Sequence, residues 1–211
     1  MLNTVRRLLS AVRPYAPMRG GREHLDRKYA QGDWDYLRGL GELSRFSVLA
    51  GYCRHLRPGG ALLEVGCGDG ILAERLAPGS YARFVGVDIS AEAVERAQAL
   101  ADERRRFVAA DATTWAADEP SDLVVFNECL EYFDDPLALV RRYEQFLTAD
   151  GLFVVSMFAG VETLRTRKIW RMLAGRYRTV DETRVTNGHG YTWVLRVLEP
   201  PRRRGPSPAR A

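Results

Sequence analysis

The chain has 211 residues, 46% of them hydrophobic, and a formal net charge of +4. That length fits one domain with a buried core; no apolar run approaches the ~20 residues that cross a bilayer, and the N-terminus lacks the apolar core and small-residue cleavage site of a secretory leader. The three cysteines, Cys53, Cys67 and Cys129, are odd in number and lack metal-ligand spacing, so they support neither a disulfide framework nor a zinc site and suit a reducing, cytoplasmic setting.

Residues 1–40 read as a helical cover. Leu2 to Val12 sets Val5, Leu8, Leu9 and Val12 on one side of a helix, a pattern shared by packing lids and by membrane-surface or targeting helices, with the lid preferred. Pro14 to Gly21 interrupts regular structure, and His24 to Gly39 mixes charges with Tyr29, Trp34 and Tyr36. Much of the positive excess lies at the two ends, in Arg6, Arg7, Arg13, Arg19 and Arg22 before the first acid and in Arg202, Arg203, Arg204 and Arg210 after the last. Such ends read as solvated basic tails and not as a nucleic-acid surface. His24 in the cover and His55 at a helix end are set aside as site residues.

From Glu42 the chain takes on a regular rhythm. Phe46, Leu49, Ala50, Cys53 and Leu56 recur at helical spacing up to Pro58-Gly59-Gly60. Strands are then expected at 61–65, 83–87, 106–109, 121–126 and 151–157, with helices at 70–77, 91–101, 136–147 and 162–173. Ser90 is the expected N-cap of the second of these helices, and Asp150-Gly151 is expected to end one helix and start a strand. This alternation predicts a parallel, doubly wound α/β sheet. Thr179 to Thr186 and Tyr191 to Leu198 flank Asn187-Gly188-His189-Gly190, a hairpin signal that reverses the last strand. The unit spans 41–199, and Pro200 to Ala211 reads as a disordered basic tail.

The chemistry concentrates at Leu62-Leu63-Glu64-Val65-Gly66-Cys67-Gly68-Asp69-Gly70. An apolar strand here runs into glycines at alternate positions, which lets the backbone turn tightly and expose amides to a nucleotide-like ligand. The bulky Ile71 departs from the dinucleotide fingerprint. Asp88 ends the next strand, where its carboxylate accepts hydrogen bonds from ribose hydroxyls.

These residues resemble the signature of class I S-adenosylmethionine-dependent methyltransferases, and the resemblance runs over about residues 25–198. It implies a Rossmann-like seven-stranded sheet with helices on both faces and an antiparallel last strand, and an enzyme using S-adenosyl-L-methionine. By the same resemblance, Glu64 meets the methionine amino end, Ile89 lies against the adenine, and Asp111 and the Ala112 amide meet the adenine edge. Arg45 reaches the methionine carboxylate, and Gly66, Cys67, Gly68, Gly70 and Asn127 complete the cofactor set. Asp111 also reads as an ordinary turn residue and Arg45 as a solvated one. Trp34 and Tyr36 are candidates to close over a sulfonium, or are plain packing.

The segment after the fourth strand, Glu128-Cys129-Leu130-Glu131-Tyr132-Phe133-Asp134-Asp135-Pro136, is similar to that of ubiquinone-biosynthesis O-methyltransferases, in which two acids and a histidine lie at the active site. Tyr132 replaces that histidine. A phenol weakens both a metal site and a histidine base, so a metal-independent enzyme is expected, with Glu128, Tyr132 and His189 as candidate catalytic groups. The expected reaction passes a methyl group to an oxygen or nitrogen of a small-molecule metabolite or natural-product intermediate. The acceptor pocket is expected from residues 1–40 and 158–181, without nucleic acid or stable membrane insertion and with a homodimer allowed. The competing readings are a non-catalytic S-adenosylmethionine-binding regulator and a nicotinamide-dependent oxidoreductase, the latter disfavoured by Gly70, Ile71 and the final hairpin.

Overall fold

The computed structural model describes residues 21–159 and 164–201. Leu2 to Val12 and almost all of the C-terminal tail lie outside the described residues. Seven strands, β1 (Ala61–Val65), β2 (Arg83–Asp88), β3 (Arg105–Ala109), β4 (Ser121–Asn127), β5 (Leu147–Phe158), β6 (Arg178–Thr186) and β7 (Thr192–Glu199), form one sheet in the order β3-β2-β1-β4-β5-β7-β6. Strands β1 to β5 run parallel, and β7 runs antiparallel to both of its neighbours. The expected parallel sheet with a reversed last strand is what forms.

Both faces of the sheet are covered, which is why its strands read as nearly continuous apolar runs. Leu62, Phe84, Leu123 and Val125 pack on one face with Phe46 and Leu49 of α2 (Leu40–Leu56), Leu72 of α3 (Ile71–Arg75) and Val94 of α4 (Ala91–Ala97). Leu63, Val85, Val124 and Phe126 face the other way, onto Val140 of α5 (Pro136–Tyr143) and Trp170 of α6 (Leu164–Ala174). Side-chain alternation along each strand sorts these two sets.

Helix ends depart from the sequence expectation. The helices expected to reach residues 101 and 147 stop at Ala97 and Tyr143 and continue as the 3-10 turns Gln98–Leu100 and Glu144–Phe146, the usual tightening of a last turn. Their starts follow the capping chemistry. Ser90 Oγ accepts from Ala93 N at 3.2 Å, and Asp135 accepts from Ala138 N at 2.9 Å with Pro136 in the first turn. Asp150-Gly151 does not start a strand, because β5 already begins at Leu147 and passes an irregular register opposite Ser121 to Leu123. Asp122 fastens that edge, accepting from Ala61 N at 2.8 Å and Thr148 Oγ1 at 3.0 Å.

The cover helix α1 (Gly21–Ala30) docks on α4. Asp26 Oδ1 accepts from Ser90 Oγ at 2.6 Å and Glu92 N at 3.3 Å, and Arg96 donates to the Tyr29 carbonyl at 2.5 Å. The cover is thereby fixed over the carboxyl edge of β1 and β2.

Candidate active site

The carboxyl ends of β1, β2, β4 and β5 and the start of β7 open onto one cavity of about 1240 Å³. A pocket for one small ligand measures ~300–1,000 Å³, so this cavity has room for two molecules. The sheet order puts four strand steps between β2 and β7, a span of ~19 Å at the usual interstrand spacing.

The glycine loop builds one wall. Gly66 N and Cys67 N both donate to the Val87 carbonyl, at 2.8 and 3.1 Å, folding the loop across the end of β2. Gly66 and Gly68 have φ of +72° and +55°; a Cβ on Gly66 would lie 2.7 Å from Cys129 Cβ, and one on Gly68 2.6 Å from the Tyr29 hydroxyl. Left-handed backbone costs a residue with a side chain ~1–2 kcal/mol, and crowding against a fixed Cβ adds a similar amount. Gly66→Ala should therefore lower unfolding stability by at least about 2 kcal/mol in denaturant titration; an unchanged midpoint would refute this packing.

Asp88 sits at the end of β2 beneath that loop. Its Oδ2 accepts from Gly68 N at 2.8 Å and its Oδ1 from Ser90 N at 2.9 Å. Burial raises its pKa, while the two amides favour the charged form. Each oxygen keeps a second lone pair for a hydroxyl donor.

Glu64 of β1 is 1% exposed. Burial pushes its pKa up to about 8, opposed by Asn127 and Arg45. Oε1 accepts from Asn127 Nδ2 at 3.5 Å, and Oε2 is buried without a hydrogen-bond partner. A buried oxygen left in this state asks for a donor or a cation.

Asn127 links Glu64 to a buried ion pair. Its Oδ1 accepts from Arg45 Nη1, while Arg45 Nη2 and Nε both donate to Glu42 Oε2, at 2.8 and 3.1 Å. Arg45 is 1% exposed, with its guanidinium 4.2 Å from the Phe46 ring centroid and 5.7 Å from that of Trp193.

Glu128 follows β4 with a φ of 55°, the one positive value at a non-glycine residue among the described residues. Its Oε1 accepts from Ser156 Oγ at 2.6 Å and its Oε2 from Phe158 N at 2.9 Å. Burial pushes its pKa up to about 7, with Arg45 and Ser156 opposing. Tyr132 also lines the cavity, and burial, with Glu128 nearby, raises its phenol well above the ordinary value.

Residues 29–197 match a family described as a methyltransferase domain. The chain belongs to this family of class I, S-adenosylmethionine-dependent methyltransferases. The ubiquinone biosynthesis O-methyltransferase of Neisseria meningitidis is 31% identical over 104 residues, covering 46% of this chain and 44% of that protein. A malonyl-[acyl-carrier protein] O-methyltransferase of a Paenibacillus species is 29% identical over 105 residues, 46% of this chain and 38% of that protein. The matched stretch thus spans less than half the length of these relatives. Among solved structures, the N-methyltransferase NodS of Bradyrhizobium japonicum in complex with S-adenosyl-L-homocysteine superposes with a TM-score of 0.74 at 22% identity, covering 85% of this chain and 98% of that one. The 1,6-didemethyltoxoflavin-N1-methyltransferase of Burkholderia thailandensis gives 0.67 at 21%, covering 85% and 86%.

Within this methyltransferase domain the cavity gathers Glu64, Gly66, Cys67, Gly68, Asp88, Ile89, Asp111, Ala112, Asn127, Arg45, Glu128 and Tyr132, together with Trp34 and Tyr36 of the cover. Two expected residues stay outside it. Gly70 packs inward, where a Cβ would lie 2.9 Å from Leu100 Cδ1, so its left-handed conformation serves the seating of the loop on α4 and its 3-10 extension. His189 is exposed; Asn187 organises its turn, accepting from His189 N at 2.9 Å and Tyr191 N at 3.0 Å and donating to the Gly41 carbonyl, and Tyr191, not His189, meets the cavity. Asp111 also spends its Oδ1 on Thr113, accepting from the backbone N at 2.8 Å and from Oγ1 at 2.7 Å.

The acid pair after β4 diverges. Glu131 turns to α6, where it accepts from Thr166 Oγ1, and Arg165 donates to the Glu131 and Phe133 carbonyls. No group of three or more His, Cys, Asp or Glu side chains among the described residues is arranged to hold a metal ion. The pocket is also walled differently from expectation. Phe158 is the contribution of the described part of 158–181, and Phe133, Asp134, Asp135, Ala138, Leu139, Arg142, Tyr191 and Trp193 line the cavity beyond it. Sequence reasoning overlooked Glu42, whose i,i+3 spacing to Arg45 was the available signal, and gave no site role to Tyr29, which covers Gly68.

Proposed function

We propose that this chain transfers the methyl group of S-adenosyl-L-methionine to an oxygen or nitrogen of a small molecule. The observation that carries the reading is Glu64 Oε2, buried without a partner beside a glycine loop and an amide-held Asp88 in one cavity. Glu64 would hold the methionine ammonium, Asp88 the ribose hydroxyls, Ile89 one face of the adenine, and Asp111 and Ala112 its edge. Arg45 and Asn127 would border the methionine end, with Arg45 free to offer its remaining N–H donors to the carboxylate. When bound, the cofactor supplies a methyl group activated by a positive sulfur. The chain's own work is to hold the acceptor in line with that methyl group, keep water out and take up a proton.

Incubation with methyl-labelled cofactor and metabolite extracts should yield a labelled small molecule by mass spectrometry. Labelling confined to protein or nucleic acid would contradict the reading.

The state of Glu64 gives a second test. In the free protein its carboxyl holds its proton up to about pH 8, whereas in the unfolded chain it ionises near 4.5. The unfolded state therefore binds fewer protons in this window, and the contribution of Glu64 to stability falls as pH rises through it. Wild-type protein should lose melting temperature between pH 5 and 8 relative to Glu64→Gln. Binding of S-adenosylhomocysteine, whose ammonium favours the carboxylate, should release up to one proton at pH 7 in the wild type and none in Glu64→Gln. Calorimetry in buffers of different ionisation enthalpy reads this directly; equal proton release by both proteins would remove Glu64 from the ammonium site.

A further inference from the structure

The end of the cavity farthest along the sheet from Asp88 combines three aromatic rings with one carboxylate. Phe158 ends β5, Trp193 pairs with it in register on β7, and Tyr191 precedes β7. The ring centroids of Phe158 lie 6.0 Å from Tyr191 and 5.8 Å from Trp193, and those of Tyr191 and Trp193 are 6.4 Å apart, all three pairs edge-on. Glu128 is fastened to the same strand end through Phe158 N and Ser156 Oγ.

The acids lining the cavity differ in what offsets their charge. Glu42 is neutralised by Arg45, Asp88 is held by two amides, and Glu64 is the acid proposed above for the methionine ammonium. Glu128 is held by neutral donors alone, and the cation that acts on it, Arg45, is already paired with Glu42. Glu131, whose charge also acts on Glu128, faces away onto Thr166. A carboxylate held by neutral donors, in a cavity that Phe158, Tyr191 and Trp193 also line, is an environment that attracts ammonium groups on an apolar or aromatic body.

The geometry points to a primary or secondary amine, carried on an apolar or aromatic body, as the methyl acceptor, with Glu128 as the group that receives its proton. This rests on the methyltransferase reading above and narrows its acceptor. The amine arrives as an ammonium and passes one N–H proton to the Glu128 carboxylate. Its freed lone pair then forms the N–C bond to the methyl carbon as the C–S bond breaks with its electron pair left on sulfur, giving a methylated ammonium and the neutral thioether. Glu128 returns its proton to water. The raised pKa of Glu128 suits this exchange, since a carboxyl near 7 takes up and loses a proton at neutral pH.

Three matched probes test the inference on the intact protein saturated with S-adenosylhomocysteine: 2-phenylethylamine, 2-phenylethanol and phenylacetate. Calorimetry should show the amine binding at least 10-fold more tightly than either of the others, and Glu128→Gln should erase that preference while leaving S-adenosylhomocysteine affinity within a few-fold of wild type. Equal or tighter binding of the alcohol or the carboxylate overturns the inference, as does failure of the amine to bind or a preference that survives in Glu128→Gln. The wild-type ranking stands without the variant should that variant fail to fold. Failure of the wild type to bind S-adenosylhomocysteine in the first titration would instead strike the methyltransferase reading itself.

Discussion

Arg45→Ala is expected to reduce unfolding stability by about 3–5 kcal/mol, the usual cost of leaving one member of a buried ion pair behind. The Glu42 carboxylate, 7% exposed, would lose both of its guanidinium bonds. Asn127 would lose the donor that orients its amide toward Glu64, and the Phe46 and Trp193 rings would lose the cation beside them. Removing both charges separates electrostatics from packing. The double substitution Glu42→Gln with Arg45→Met should recover most of the lost stability, because a neutral pair of similar volume leaves no uncompensated charge. Its cofactor affinity should stay low, since the chain of contacts to Glu64 is not restored. Denaturant unfolding checks the first claim and calorimetry the second; a single mutant within 1 kcal/mol of wild type would show that the ion pair carries little of the fold's stability.

Asp88→Ala is expected to weaken S-adenosylhomocysteine binding by 100-fold or more. Hydrogen bonds to a charged partner contribute about 1.5–3 kcal/mol each, so losing two to a ribose removes about 3–6 kcal/mol. The same substitution frees the amides of Gly68 and Ser90, so the loop and the start of α4 lose their shared anchor. Asp88→Asn keeps the shape and one acceptor oxygen but turns its NH2 onto one of the two backbone N–H donors, so it should fall between wild type and alanine in affinity and melt below wild type. Affinity of Asp88→Ala within 3-fold of wild type would remove this residue from the cofactor site.

The strand and loop framework was legible because its signals are local. Apolar runs buried on both faces set the strands, and alternate glycines with an acid at the end of the next strand set one wall of the cavity. What escaped the sequence depends on rotation or on distant pairing. The 3-10 turn Leu130–Tyr132 rotates Glu131 away from the cavity while Tyr132 stays within it, and no spacing rule distinguishes the two. Gly70 looks equivalent to Gly66 and Gly68, yet the neighbour its missing side chain makes room for is Leu100, far along the chain. The histidine of the β6–β7 turn was the conspicuous titratable group, but Asn187 satisfies that turn and the tyrosine two residues on faces the cavity. The aromatic trio is invisible in one dimension because antiparallel pairing of β5 with β7 brings Phe158 against Trp193.

The cavity at the carboxyl edge of the sheet would take one adenosyl-methionine skeleton, with Glu64 at its methionine end, Asp88 at the ribose and Asp111 at the adenine. Titrating the purified protein with S-adenosylhomocysteine, with NAD as the rival ligand, tests it most directly. One site per chain is expected for S-adenosylhomocysteine, weakened by Glu64→Gln and strongly by Asp88→Ala, with no heat from NAD. Saturable binding of NAD without binding of S-adenosylhomocysteine would contradict it.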